Sequence, residues 1–223
     1  MYTGPQIITD GLVLYVDAAN PKSYLGSGTN IYNLAGTTSG TLNNGTGHLS
    51  NNKGVWDFDG TNDNMTISSG YSFTSGDDYT YEVWFNPTTN NTTSGLIGGP
   101  NNPMIRWGQG IPGTVYFFCG WSESPFYKGV RGNSILNVGE WHHAVGTLDR
   151  VNQEGKLYIN GEYDSQLTWS TGTISSPSST VMFNQRDSSN AYQGKISIGK
   201  LYNRVLTPEE VLQNYNALKQ RFK

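Results

Sequence analysis

The sequence predicts an all-β protein: two antiparallel sheets packed as a sandwich, with a single α-helix at the C-terminal end. Three observations carry this. Short runs rich in Val, Ile, Tyr, Phe and Trp recur along the chain between Gly, Asn, Asp and Pro turns. Charged residues make up 14% of the 223 residues while glycine numbers 28, a mixture that suits many short elements and not long solvated helices. Only one segment, the last, combines helix start signals with helical periodicity. A chain of this length buries roughly 70% of its unfolded surface, so its core needs no disulfide. No repeat, linker or shift in composition divides it, which predicts one domain over residues 1–223.

The strands are expected in order. Leu12-Val13-Leu14-Tyr15-Val16 is an apolar run closed by Asp17 and the Asn20-Pro21 turn. Residues 24–54 read as a long irregular excursion holding one or two short strands. Val55–Phe58 enters the turn Asp59-Gly60-Thr61-Asn62-Asp63, after which Asn64–Ile67 alternates again. Tyr79–Phe85 is the clearest strand, stopped by Asn86-Pro87. Met104–Trp107, Thr114–Cys119, Trp141–Leu148, Val181–Phe183 and Ile196–Tyr202 continue the series. Lys156–Ile159 and Glu162-Tyr163 flank Asn160-Gly161, a strong two-residue hairpin signal.

The helix is predicted over about 207–221. Thr207 is its cap, Pro208 its first residue, and Glu210 completes a capping box. Leu206 and Val211 occupy the staple positions. Val211, Leu212, Tyr215, Leu218 and Phe222 form an apolar stripe at spacings of three and four, expected to dock on the sandwich. Lys219, Arg221 and Lys223 suit the negative end of the helix dipole.

Composition excludes several partners. The net charge is −3 and no run of Lys or Arg exists, so neither nucleic acid nor an anionic membrane is expected to bind. Cys119 is alone and reads as a buried, inert thiol. No signal peptide and no apolar stretch of membrane-spanning length is visible. The expectation is a soluble chain made in a cytoplasm, with Asn44, Asn64 and Asn91 in chance glycosylation sequons.

Several blocks together resemble a known family. Gly11–Asp17, Phe58–Asp63, Tyr79–Pro87, Trp141–Thr147, Lys156–Gly161 and Gly194–Leu206 look, in that order, like the concanavalin A-like, laminin G-like jelly-roll family. The resemblance spans nearly the whole chain and implies a jelly-roll sandwich. The ending Leu201–Asn216 resembles the tails of stand-alone modules of this type encoded by tailed phages. The family often has an Asp-Glu pair after Gly-Lys-Ile, where this chain has Ser197 and Ile198. That departure bears on any metal support from the pair.

The same fold hosts laminarinase-type glycoside hydrolases, whose strand carries acids at alternate positions so that a nucleophile and an acid/base project from one face. This sequence has no such array. Glu162 and Asp164 alternate but follow a hairpin turn, where solvated charges are expected. Asp57 and Asp59 flank a turn that wants Asp for its own hydrogen bonds. His142 and His143 point to opposite strand faces and cannot chelate one metal together. No Gly-x-Ser-x-Gly elbow or phosphate-binding loop appears. No catalytic residue, required cofactor or metal site is therefore expected. Calcium at Asp57–Asn64 is conceivable but not favoured, because Ser68 stands where a calcium loop wants a bidentate Glu.

A carbohydrate site needs exposed aromatics beside planar polar groups. Strand alternation puts Glu82 and Trp84 on the face opposite Tyr81, Val83 and Phe85, looking outward. Arg106 and Trp107 are further candidates, as are Trp121, Phe126 and Tyr127 in the stretch 121–128, read as an irregular recognition loop. Trp56 and Trp141 are assigned to the core. Two functions fit. One is a non-catalytic virion structural protein, a capsid decoration or fibre component on the particle surface. It would contact other virion proteins, itself as a homo-oligomer, and host-surface glycan. The other is a cellular carbohydrate-binding, lectin-like module.

Overall fold

Strand β7, Tyr79–Pro87, shows how the two layers form. Tyr81, Val83 and Phe85 alternate with Glu82 and Trp84, and the first set enters the space between two sheets. The computed structural model describes residues 5–90, 93–99, 103–121, 127–170, 174–184 and 191–223, with the backbone alone at 121 and 127. All strand pairings among them are antiparallel.

The first sheet runs, edge to edge, β14 (Glu162–Thr168), β13 (Glu154–Ile159), β12 (His142–Asp149), β7, β16 (Gln193–Tyr202), β5 (Val55–Asp59) and β4 (Gly47–Leu49). Strand β1 (Leu12–Asp17) pairs with the second half of β16, beyond the part that β5 covers. The second sheet runs β11 (Tyr127–Arg131), β10 (Val115–Trp121), β9 (Met104–Trp107), β8 (Ser94–Gly98), β15 (Thr180–Phe183), β6 (Asn64–Ser68), β3 (Ser39–Asn43) and β2 (Asn30–Tyr32). The all-β sandwich with one C-terminal helix is as the sequence predicts.

Between the sheets lies one core, with Trp56, Phe58, Tyr79, Tyr81, Phe85, Trp107 and Phe117 all buried. Rings from opposite sheets meet edge to face: Tyr79 with Phe117 at 6.2 Å and Phe85 with Trp107 at 5.7 Å. This layer is thin where glycine allows it. A Cβ on Gly146 would lie 2.5 Å from the Phe117 ring, and one on Gly199 would lie 2.3 Å from Phe183. Cys119 is buried there as a free thiol, and burial pushes it well above its ordinary pKa.

The Asn160-Gly161 turn adopts φ of 53° and 85°, the left-handed pair that a type I′ hairpin requires. The excursion at 24–54 holds three short strands, β2 to β4. Strands β8 and β11 were not expected. Ser94–Gly98 has no clean alternation, and Trp121 pairs with Tyr127 across β10 and β11. Of the stretch 121–128, residues 121, 127 and 128 belong to β10 and β11, and 122–126 lie outside the described residues.

Helix α1, Pro208–Leu218, has the predicted cap, capping box and N-terminal proline. It lies on the outer face of the first sheet, where Val211 and Leu206 bury against Val145, Tyr158 and Tyr202. Its docked stripe is turned from the predicted one. Leu212 is 39% exposed, and the polar Asn214 is fully buried in its stead.

Candidate functional site

Glu82 and Trp84 do face away from the core, but α1 and the 3-10 turn Lys219–Phe222 cover them completely. Trp84 stacks on Tyr215 at 5.6 Å and on Phe222 at 4.2 Å. Its indole presents no open platform. Trp141 also leaves its expected place: it packs on Phe222 at 4.7 Å, half-buried, and donates to Asn52 at 3.1 Å. Trp56 is in the core as expected.

Glu82 organises a buried polar cluster. Its Oε1 accepts from Lys200 Nζ at 2.6 Å and its Oε2 accepts from Asn214 Nδ2 at 2.7 Å. His143 Nε2 stands 3.1 Å from Oε1, though neither ring nitrogen makes a well-directed hydrogen bond. Burial pushes the Glu82 carboxyl up, but the Lys200 ammonium beside it outweighs burial and the group is held at about 2. Burial also lowers His143, which keeps that ring neutral. Asn214 reaches further: it accepts from the Ile8 amide at 2.7 Å and donates to Tyr202 at 2.9 Å. The cluster fastens helix, sheet and N-terminal segment together, with no room for a substrate.

Arg106 and Trp107 are adjacent in β9 and so point oppositely. Trp107 is in the core, its Nε1 donating to Thr89. Arg106 is on the outer face of the second sheet, 97% buried, over the Phe118 ring at 4.1 Å and bonded to Gln109. The structure does not gather these two with Glu82 and Trp84. The side chains of Trp121 and Tyr127, and all of Phe126, lie outside the described residues.

The acids expected to be structural are so placed. Asp164 sits at a bulge in β14, off the face of Glu162, and accepts from the Asn133 and Ser134 amides at 2.7 and 2.9 Å. Asp59 accepts from Thr61 N within the turn, and Asp63 accepts from Asp59 N. His142 faces inward near Phe85, bonded through Nε2 to Asn137 O at 2.8 Å. Among the described residues no group of three His, Cys, Asp or Glu is arranged to hold a metal ion.

An open groove runs along β1. Two cavities flank the turn after it and share Asn20 as a wall. One, of about 440 Å³, is lined by Leu12, Tyr15, Leu34 and Ala35 with Ile7 and Thr9. The other, of about 520 Å³, lies between the turn and the end of α1, with Asp17, Lys53, Gln220 and Arg221 on its walls. Buried Asn33 sets the first wall. Its side chain bridges the Tyr15 amide at 3.0 Å and the Val13 carbonyl at 2.9 Å, holding residues 33–35 beside β1.

The half-buried Tyr15 ring has its hydroxyl on Asp17 at 3.3 Å. Burial, reinforced by Asp17, pushes that phenol up and keeps it protonated. Asn20 accepts from the Lys22 amide through Oδ1, and among the described residues its Nδ2 has no acceptor. Arg221 fixes the far wall by donating to Asp17 at 2.6 Å and to the carbonyls of Asn52 and Gly54 at 2.6 and 2.7 Å. It also donates to Ser197, which bonds Gly54 O at 2.8 Å. The position where the family often has an acid is thus part of the helix anchor. Sequence reasoning missed this groove because its walls come from four separate segments.

Comparison with solved structures gives the fold the same company. The receptor-binding domain of the botulinum neurotoxin C/D mosaic serotype superposes with a TM-score of 0.73 at 14% identity, covering 93% of this chain and 51% of that one. The binding domain of botulinum neurotoxin DC in complex with SialylT gives 0.72 at 11% identity, covering 94% and 52%. That of Paraclostridial Mosquitocidal Protein 1 gives 0.70 at 15% identity, with the same coverage. The chain spans about half the length of each. No curated protein sequence matches it. A family model described as the concanavalin A-like lectin/glucanases superfamily matches residues 59–212, more than half of the chain. The chain belongs to the concanavalin A-like lectin/glucanases superfamily.

Proposed function

We propose that this chain is a non-catalytic, lectin-like module that binds carbohydrate in the groove beside β1. The pair of cavities meeting at Asn20 carries the reading. Sugar recognition asks for an aromatic face, apolar walls for C–H surfaces and a few planar polar groups. Tyr15, the Leu12 and Leu34 walls, and the Asn20 amide supply them. The structurally similar proteins are binding domains, which supports binding as the role.

The buried carboxylates argue against chemistry. A glycosidase needs two carboxyl groups ~5 Å apart, or ~6.5–9.5 Å apart with water between, flanking an open cleft. Among the described residues the buried ones are Asp17, Asp63 and Glu82. Asp17 is held by Arg221, Asp63 by the Asp59 amide, and Glu82 by Lys200 and Asn214. Titration calorimetry against a panel of neutral oligosaccharides tests the reading. Binding should be found, and Tyr15→Ala or Asn20→Ala should weaken it about tenfold. Binding that ignores both changes would move the site elsewhere, and none at all would end the carbohydrate reading.

For location, we propose the surface of a virus particle, with assembly in the host cytoplasm and other virion proteins as neighbours. The resemblance of Leu201–Asn216 to the tails of phage-encoded modules favours it. Repetition on a particle would multiply weak sugar contacts into useful avidity. Mass spectrometry of purified particles should detect the chain. Its absence would leave a cellular carbohydrate-binding module as the reading.

A further inference from the structure

At the edge of the sandwich opposite β1, strands β11 and β14 close the seam between the two sheets. Lys128 of β11 is 97% buried there, and among the described residues its Nζ has no hydrogen-bond partner. The indole of Trp169, just past β14, stands 5.9 Å from that nitrogen and is half exposed. Trp169 is held from behind: a Cβ on Gly155 would lie 2.8 Å from it, with Val130 and Cys119 in the same contact. Its backbone amide donates to Gln153 O at 3.0 Å, and among the described residues the buried Gln153 Oε1 also lacks a partner. Among the described residues a cation without an acceptor thus stands over an aromatic ring, whose own backbone is bonded to the turn that carries an acceptor without a donor.

A buried ammonium without a counter-ion is expensive, and proteins rarely keep one without a use. Burial pushes the Lys128 ammonium down from its ordinary range. We propose that this seam is a second binding site, for an acidic saccharide: its carboxylate pairs with Lys128 and its ring lies against Trp169. A plain oxyanion would satisfy Lys128 but not the Gln153 acceptor. A sugar acid brings hydroxyl donors for Gln153, a carboxylate for Lys128 and a C–H face for the indole. The flexible four-carbon stem lets the ammonium swing to the rim without backbone movement. The inference rests on the carbohydrate reading but uses a site at the opposite edge of the sheet.

The probes are tetragalacturonate and neutral galactotetraose, titrated into the whole protein by calorimetry. Wild type should bind the acidic probe more tightly. Lys128→Met should weaken that binding about tenfold or more, the loss of a charged hydrogen bond, and leave the neutral probe unchanged. The same change should raise the melting temperature, since it deletes an uncompensated buried charge, so loss of binding cannot be a folding failure. Binding of the acidic probe that survives Lys128→Met overturns the inference, as does a variant that melts lower. Wild type that binds only the neutral probe overturns it too and leaves the carbohydrate reading standing. Wild type that binds neither probe refutes both.

Discussion

Arg221 Nη1 lies 2.6 Å from Asp17 Oδ1, which ties the last turn of the chain to the end of its first strand. Both side chains are nearly buried, so the pair closes one wall of the groove as well as the fold. Breaking such a pair leaves a buried charge without its partner. Arg221→Ala is expected to cost about 3 kcal/mol, read as a lower urea midpoint at unchanged slope. A midpoint within error of wild type would mean the helix end is not anchored there.

Removing the chain from Thr207 onward has a larger consequence. Val211 no longer covers Val145, Tyr158 and Tyr202, and Trp84 loses both stacked rings. Each buried side chain of this kind contributes ~1.5–3 kcal/mol, against a total of ~5–15 kcal/mol for a domain. The truncated protein should unfold at a much lower urea concentration. An unchanged midpoint would make the helix a free tail.

Acid should loosen the helix in two stages. His143 is held neutral, its pKa lowered from 6.5 chiefly by burial, and His142 is lowered likewise. Below 6.5 the unfolded chain takes up protons that the folded one refuses, so stability begins to fall there. Glu82 stays near 2 where its ordinary value is 4.5. Its contribution, about 3 kcal/mol at 1.36 per unit, is complete above 4.5 and is lost as pH falls toward 2. Scanning calorimetry should show a gentle decline below about 6.5 and a steep one below about 4.5, with His143→Gln flattening the first. A melting temperature constant down to pH 5 would contradict this.

The turn at 59–63 satisfies its own carboxylates with backbone amides. Chelation should therefore leave the melting temperature within about 1 °C, since only a ligand that binds the folded state shifts it. A fall of about ten degrees in EDTA that calcium reverses would reveal a metal site in that loop.

The sequence was most readable where local chemistry settles structure. Alternation in Tyr79–Pro87, the Asn160-Gly161 pair and the Thr207–Glu210 capping box each specify a conformation without help from distant residues. Alternation also put Glu82 and Trp84 on the outer face, but it cannot say what covers that face. The cover depends on where α1 lands, which Asn214 and Arg221 settle through partners more than a hundred residues away. A polar Asn in the docked stripe and an Arg past the helix end look like surface residues until those partners are known. Strand β8 escaped notice because Gly95 and Gly98 erase its pattern. The β1 groove escaped because cavities are properties of assembled walls.

The central claim is that the protein binds carbohydrate beside β1 and leaves it intact. Amide chemical-shift mapping with a bound oligosaccharide tests it most directly, because the protein and sugar signals are read from one sample. Shifts should cluster at Tyr15, Asn20, Leu34 and Ala35, while the sugar resonances stay those of the uncleaved chain over days. Shifts elsewhere with these four unmoved, or the appearance of new reducing-end signals, would contradict it.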